Sequence, residues 1–411
     1  MATRLGKLKL RLPLIDLPLG LAALGLTAIG LLTVFSATSV PGSHEGLWMK
    51  QLVWAIVAIG AAWLVAAIHY RVYDSLAYPL YGISLVFLVL VLVMGSSAYG
   101  ARRWLELGPL KFQPSELAKI ATVLVLARRF DDPKLELARF RQWFPAVLIT
   151  LVPCALVVKE PDLGTSLAFP IILVAMLYWA GMPLGHLLLG LSPAFNLTLF
   201  FVTGSLLWFG GLFIGLVLLF RPRLPALLVL LALNGAVAYT TPHLWNGLAD
   251  YQKRRIQTFL DPSNDPYGAG YQIIQSRIAI GSGGLTGKGY LKGTQKALAF
   301  LPMRHTDFIF SVVGEELGLL GSLTVVLLYG LLIMRGLRLA LVSRNPFASL
   351  MTVGLVTALF YHIMVNMLMA IGWAPVTGLP LPLLSYGGTA LIVNGISIGL
   401  LQNVAMRRRE F

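Results

Sequence analysis

The sequence predicts an all-α polytopic membrane protein, and three observations carry that prediction. Of its 411 residues 57% are hydrophobic and only 12% are charged. Mean hydropathy is +0.79, far above what a soluble domain needs. Apolar runs of about 17 to 25 residues, the length that crosses a hydrocarbon core, recur along nearly the whole chain. The first run, Leu17 to Val34, is too long, and followed by too many others, to be a cleavable signal peptide. The single cysteine, Cys154, lies inside an apolar run and leaves neither a disulfide framework nor a soft-metal cluster to consider.

Spans are expected at 17–37, 52–69, 77–95, 115–129, 144–158, 165–181, 308–335, 350–372 and 385–406. The stretch 183–242 is harder to read. It holds apolar runs near 184–194, 198–220 and 224–240, with Arg221, Pro222 and Arg223 between the last two, so it crosses once or three times. The chain is therefore one membrane domain over 1–411, with ten core transmembrane helices, or twelve with an extra hairpin in 183–242, and one large extracytoplasmic loop at 243–306.

Charge orients these spans. Arg4, Lys7, Lys9 and Arg11 precede the first, which places the N-terminus in the cytoplasm. Arg71, Arg128, Arg129, Lys134, Arg139, Arg141, Arg335, Arg338, Arg344 and Arg407 to Arg409 then fall on the same side, so the C-terminus is cytoplasmic too. That parity needs an odd number of crossings in 183–242. The loop 243–306 lands outside while carrying Lys253, Arg254, Arg255, Arg277, Lys288, Lys292, Lys296 and Arg304 against Asp250, Asp261 and Asp265. Long loops are translocated largely regardless of charge. A basic outer loop at a membrane surface suits an anionic partner such as a lipid phosphate or pyrophosphate, with weak headgroup attraction as the plainer reading.

A shorter outer loop after the third span adds Arg102, Arg103 and Lys111, with Trp104 at interfacial depth, where Trp is enriched anyway. Pro114 opens the fourth span, and Glu116 and Lys119, three residues apart, are placed to pair.

Seventeen acids are present, and those in spans or on the outer side matter most, because an unpaired ionisable group inside a bilayer costs about 2.5 to 3.5 kcal/mol. "LPMRHTDFIFSVVGEELG", 301–318, puts three in one stretch. Asp307 at the helix head reads as a cap or as a functional acid. Glu315 and Glu316 lie about 12 Å deeper. Asp307, Ser311 and Glu315 share one helix face, which implies a protein-lined or watered cavity, or a buried network with Lys119 or Lys159 as partners. "KEPDLGTS", 159–166, is a second outer cluster, in which Asp162 reads equally as a turn residue feeding a helix start. "AIGSGGLTGKG", 279–289, lacks the glycine spacing and the Ser or Thr of a phosphate loop, so its glycines are read as tight backbone turns near an interface, with amides available to phosphate. "PLPLLSYGG", 380–388, is rich in helix breakers and shapes a groove or ends a helix.

"FLDPSNDPYGAGYQIIQSRIAIGSGGLTGKGYLKGTQ", "HTDFIFSVVGEELGLLG", "RRWLELGPLKFQPSELAKI", "PDLGTS" and "TGLPLPLLSYGGTALI" together resemble the RodA/FtsW, or SEDS, family of bacterial cell-wall polymerases. The likeness runs from the first span to the last, and "GKGYLKGTQ" resembles the elongation branch, RodA, more than the division branch, FtsW. The resemblance implies a peptidoglycan glycosyltransferase that polymerises lipid II on the outer face of the bacterial cytoplasmic membrane during elongation and shape maintenance. By resemblance the essential acid is Asp307, acting as general base. Glu315 and Trp104 match further important positions, and Lys119 and Asp162 sit in matching motifs with less defined roles. Leaving-group contacts are assigned to Arg102, Lys119, Arg277 and Lys288, with a divalent cation, Mg2+ or Mn2+, as the expected helper and no organic cofactor. Expected partners are lipid II, undecaprenyl-pyrophosphate-linked glycan, membrane lipids and a class B penicillin-binding protein that supplies transpeptidation; nucleic acid is not among them. Met303 stands where the resembled family commonly has an acid, and Ala299 where some members, notably division-type ones, have a Glu, which leaves Glu315 or Glu106 to supply any second carboxylate. The rival readings are a lipid II flippase or other lipid transporter and a non-catalytic scaffold. The position of Asp307 near one surface, away from the midplane, speaks against transport.

Overall fold

A computed structural model describes residues 15–39, 46–98, 101–107, 110–137, 140–203, 207–220, 224–247, 253, 269–294 and 303–407. Asp16 starts the first helix: its carboxylate accepts the Leu19 amide at 3.1 Å and caps α1 (Leu17–Thr38), whose first turn carries a proline. The same carboxylate meets Arg335 Nε at 3.0 Å, and the Asp16 amide donates to Gln402 at 2.9 Å. One buried acid thus joins three helices at the end of the bundle away from Asp307.

Twelve further helices follow among the described residues. They are α2 (Leu47–Ala67), α3 (Tyr70–Met94), α4 (Pro114–Phe130), α5 (Phe140–Lys159), α6 (Leu163–Trp179), α7 (Leu184–Thr203), α8 (Leu207–Phe220), α9 (Leu224–Gly247), α10 (Ala269–Ser282), α11 (Ile309–Val342), α12 (Pro346–Ala370) and α13 (Gly388–Arg407). Among the described residues seven are long and apolar enough to cross a membrane: α1, α2, α3, α5, α11, α12 and α13. Burial separates them into layers. In the apolar stretches of α12 and α13, 67% of residues are buried, against 22% in α2, α3 and α5, whose exposed leucines, valines and isoleucines suit lipid. The inner layer is completed by α4, which is less apolar than its neighbours and buries 14 of its 17 residues.

The stretch 183–242 forms three helices, the longer of the two expectations. α7 packs against both α8 and α9. Asn234 Nδ2 donates to Ser192 Oγ at 2.9 Å, and Asn196 Nδ2 to Asn234 Oδ1 at 2.6 Å, a polar link between α7 and α9 of the kind that holds helices together in lipid. Arg221 to Arg223 lie outside the described residues, as do 248–252, 254–268 and 295–302 of the long loop.

The loop after α3 departs from the helical expectation. It folds as a small antiparallel sheet, β1 (Ser96–Ala98), β2 (Ala101–Leu107) and β3 (Leu110–Phe112), in the order β1-β2-β3. Its hairpin ends on Gln113, the N-cap position of α4, so the sheet sets the entry of the most buried helix.

Candidate active site

Asp307 occupies a turn, 303–308, directly before α11. Three successive amides, Thr306, Asp307 and Phe308, converge on the Met303 carbonyl at 3.3, 3.1 and 3.2 Å. Phe308, fully buried, is the N-cap position of α11, so Asp307 is not the cap that its place in the sequence allows. Its side chain is half-buried. A Cβ built on Gly378, in the loop between α12 and α13, would meet Asp307 Oδ2 at 3.6 Å and no other atom within 4 Å. Among the described residues the space between Gly378 and this carboxylate is therefore open, and Gly378, at φ 74°, keeps it so.

The turn is tied to its surroundings on every side. Asn366 Nδ2 on α12 donates to the Asp307 carbonyl at 2.9 Å, and Ser385 Oγ to the Thr306 carbonyl at 2.6 Å. Arg304, buried, gives its Nε to the Ala37 carbonyl at the end of α1 at 2.8 Å, a favourable place for a cation. The breaker-rich stretch 380–388 thus neither ends a helix idly nor forms an isolated groove; it holds the Asp307 turn.

The two deeper acids have a different setting. α11 is broken at Gly318 (φ 65°, ψ −160°), which strips helical partners from nearby backbone groups inside the membrane. The glycine-rich segment after α10 supplies them: Lys288 N and Gly289 N donate to the Glu315 and Glu316 carbonyls at 2.9 and 3.1 Å, while Leu319 N and Leu320 N donate to Gly284 and Leu285 carbonyls at 2.9 and 3.1 Å. A Cβ at Gly287 would lie 2.1 Å from the Glu316 carbonyl oxygen, so only glycine permits this approach. The side chains finish the seam. Glu315 Oε1 accepts from Lys288 Nζ at 2.8 Å, Thr294 N at 2.7 Å and Thr294 Oγ1 at 2.9 Å, and Glu316 accepts from Ser36 Oγ of α1 at 2.7 Å.

The shared face of Asp307, Ser311 and Glu315 is therefore not a descending cavity. Ser311 Oγ meets Ser276 Oγ of α10 at 2.5 Å, and the partner of Glu315 is Lys288, not Lys119 or Lys159. The expected catalytic role of Glu315 and the expected phosphate role of Lys288 meet the same obstacle: each engages the other, and Glu315 is 1% exposed.

Other expected residues fall as follows. Lys119 pairs with Glu116 at 2.8 Å, as their spacing suggests, and its Nζ also lies 2.5 Å from His362 Nε2 of α12, one helical turn from Asn366. A cavity lined by these three with Asn394 and Ser397 lies among α4, α12 and α13. Asp162 is the N-cap of α6, accepting Thr165 N at 3.1 Å and Thr165 Oγ1 at 2.9 Å, and it also meets Gln113 Nε2 at 3.3 Å. Arg277 caps α12 through Nε to the Ile371 carbonyl at 3.0 Å and Nη2 to Gly372 at 2.9 Å, and remains exposed. Trp104, half-buried, sits on β2 opposite Ser96, and Arg102 lies opposite Ser97, its side chain outside the described residues.

Glu160, in the turn between α5 and α6, belongs to the outer cluster 159–166 and to the outer acids singled out from sequence, which gave it no role. It is 1% exposed, and neither carboxylate oxygen has a hydrogen-bond partner. Burial pushes its carboxyl up to about 8, Asp162 adds to the rise, and Arg103, which donates to the Glu160 and Pro161 carbonyls, opposes it. Asn366 and Ser385 were missed. Their only sequence signal was a polar side chain within a span and a serine among helix breakers. Among the described residues no three of His, Cys, Asp and Glu converge, so the donor set does not build a protein cage for the expected divalent cation.

The architecture and this site define a class. The FtsW/RodA/SpoVE cell cycle protein model matches residues 16–410, and the chain belongs to that family. Peptidoglycan glycosyltransferase MrdB of Escherichia coli K12 is 41% identical over 382 residues, 92% of this chain and 91% of that protein. A probable peptidoglycan glycosyltransferase FtsW of Geobacter metallireducens is 35% identical over 404 residues, 96% of this chain and 95% of that protein. Among solved structures, a chain from a peptidoglycan synthase complex that coordinates polymerization and crosslinking superposes with a TM-score of 0.74 at 34% identity, covering 97% of this chain and 99% of that one. The rod shape determining protein RodA of Thermus thermophilus superposes at 0.65 with 30% identity, covering 96% and 98%.

Proposed function

We propose that this chain is a peptidoglycan glycosyltransferase that polymerises lipid II at the outer face of the bacterial cytoplasmic membrane, with both termini in the cytoplasm, for cell elongation and shape maintenance. The observation that carries this reading is the environment of Asp307: a half-buried carboxylate at the end of a membrane bundle, beside open space at Gly378. The family membership and the glycosyltransferase names of the relatives support the same activity.

In this reading the Asp307 carboxylate takes the proton of the acceptor sugar hydroxyl as that oxygen bonds to the anomeric carbon. The bond from that carbon to the lipid pyrophosphate breaks, and the electron pair leaves with the phosphate oxygen. A single displacement of this kind inverts the anomeric centre. The leaving pyrophosphate is assigned to Arg277 of α10, exposed and with Nη1 outside both of its capping bonds, and to Arg102 of β2. Trp104 offers an interfacial ring surface, Asp162 acts through the start of α6 that it caps, and Lys119 through the buried contacts it makes with Glu116 and His362 between α4 and α12. Glu315 and Lys288 hold the broken helix. A divalent cation, Mg2+ or Mn2+, would arrive with the pyrophosphate, and no step depends on it.

The partner we propose is a class B penicillin-binding protein, a reading supported by the synthase complex among the structural relatives. Purified protein in proteoliposomes, with lipid II and such a partner, is expected to form glycan polymer, and Asp307→Ala is expected to form none above background. Equal polymer from Asp307→Ala would overturn the base assignment. Movement of lipid II across the bilayer without polymer would favour a flippase instead.

A further inference from the structure

The backbone that carries Asp307 is gripped from across the site. The carbonyls of His305, Thr306 and Asp307 accept, in that order, from Tyr386 N at 2.9 Å, Ser385 Oγ at 2.6 Å and Asn366 Nδ2 at 2.9 Å. All three precede Phe308, the N-cap position of α11, so no amide of that helix is due to them. Their donors come instead from 59 to 81 residues away in sequence, all within 366–386.

Asn366 does more than fill one bond. It is fully buried, and its amide also donates to the Leu379 carbonyl at 2.7 Å. Leu379 follows Gly378, the residue on which a Cβ would lie 3.6 Å from Asp307 Oδ2. A single planar amide therefore spans the two walls of the open space, the strand of backbone bearing the carboxylate and the glycine facing it. Ser385 reinforces the same span, accepting the Leu381 amide at 2.8 Å while donating to Thr306. Gln51 of α2 then brackets Ser385, giving Nε2 to the Ser385 carbonyl at 3.0 Å and accepting from Gly387 N at 3.2 Å.

We infer that Asn366, assisted by Ser385, is a positioning residue for glycosyl transfer: it fixes the distance between the Asp307 carboxylate and the Gly378 wall, and so the place where the acceptor hydroxyl must lie. The inference rests on Asp307 being the general base. A base acts only within hydrogen-bond reach of its proton, and a displacement near 1 Å costs about 100-fold in rate. A clamp with no part in positioning would matter for folding alone.

The test uses the full-length protein in proteoliposomes with lipid II and the class B partner, with rates expressed per folded molecule. Asn366→Leu keeps the side-chain volume and removes both donors; Asn366→Gln retains an amide. Ser385→Ala and Ser385→Thr form a second pair in the same clamp. Asn366→Leu is expected to lower kcat by about tenfold or more while the KM for lipid II stays within about twofold, and Asn366→Gln to recover part of the loss. Ser385→Ala is expected to show a smaller fall in kcat that Ser385→Thr restores. Wild-type kcat per folded molecule in both Asn366→Leu and Ser385→Ala, or a loss confined to KM, overturns the inference. Should Asn366→Leu fail to fold, the Ser385 pair decides by the same criterion. Asp307→Asn is measured alongside. Activity retained there overturns the base assignment and this inference together, whereas activity lost there but kept in the clamp variants overturns the inference alone.

Discussion

One helix and the turn before it carry three acids in two environments. Asp307 is half-buried in a turn whose backbone is held from α12 and from the 380–388 stretch, and its carboxylate faces Gly378. Glu315 and Glu316, about two turns further along, are gripped by backbone carbonyl and carboxylate alike and are sealed by the 283–294 segment and α1. The same residue chemistry therefore serves two ends. A half-buried acid at the mouth of the bundle is placed to do chemistry; acids that are 1% and 2% exposed and bonded through carbonyl and carboxylate alike are fasteners.

Replacement at the two places should separate these roles. Asp307→Asn keeps the shape of the side chain and is expected to cost about 10²- to 10⁴-fold in polymerisation rate, with an unchanged thermal midpoint. Glu315→Ala is expected to do the reverse in part. It strips Lys288 and Thr294 of a shared charged acceptor, for a loss of about 2 kcal/mol, read as a lower thermal midpoint and reduced folded yield, with a smaller fall in rate per folded molecule. Rate loss in Glu315→Ala equal to that of Asp307→Asn at unchanged stability would merge the two regions again.

Glu160 sharpens the comparison because it is sealed without being fastened. Its folded carboxyl titrates at about 8, above its ordinary value of 4.5, so between those values the folded state holds a proton that the unfolded state has released. Stability contributed by this group is full at low pH, falls as pH rises from about 4.5 to 8, and is flat beyond. Thermal midpoints measured from pH 5 to 8.5 are expected to fall less in Glu160→Gln than in wild type. Parallel curves would contradict the burial of an unpartnered acid. The smallest effect is expected at Lys111 and Glu106, paired at 3.0 Å on the sheet but 65% and 48% exposed: Lys111→Ala should change stability by less than about 0.5 kcal/mol.

The membrane fold was legible because its signal is repeated. Apolar length defines each span, and Pro114 and Asp162 mark the starts of α4 and α6 to within a few residues. The sheet at 96–112 was not legible, since strands of three, seven and three residues leave no periodicity to read. In 183–242 continuous apolarity concealed where one helix ended and the next began. The site divided in the same way. Asp307 stood out as an acid at a helix head, and Glu116 with Lys119 as a pair at helical spacing. The partners of Glu315 did not, because Lys288 and Thr294 reach it only through a helix break at Gly318. Asn366 was hidden for a related reason: nothing in its own span announces a bond to a carbonyl 59 residues upstream.

The most direct test of this division of labour is the rate of glycan polymerisation from lipid II in proteoliposomes holding the class B partner, per folded molecule, for Asp307→Asn beside Glu315→Gln. The account predicts polymer near background for Asp307→Asn at wild-type stability and a rate within about threefold of wild type for Glu315→Gln, whose amide oxygen still accepts from Thr294. Polymer at the wild-type rate from Asp307→Asn, or a matching collapse in a stably folded Glu315→Gln, would contradict it.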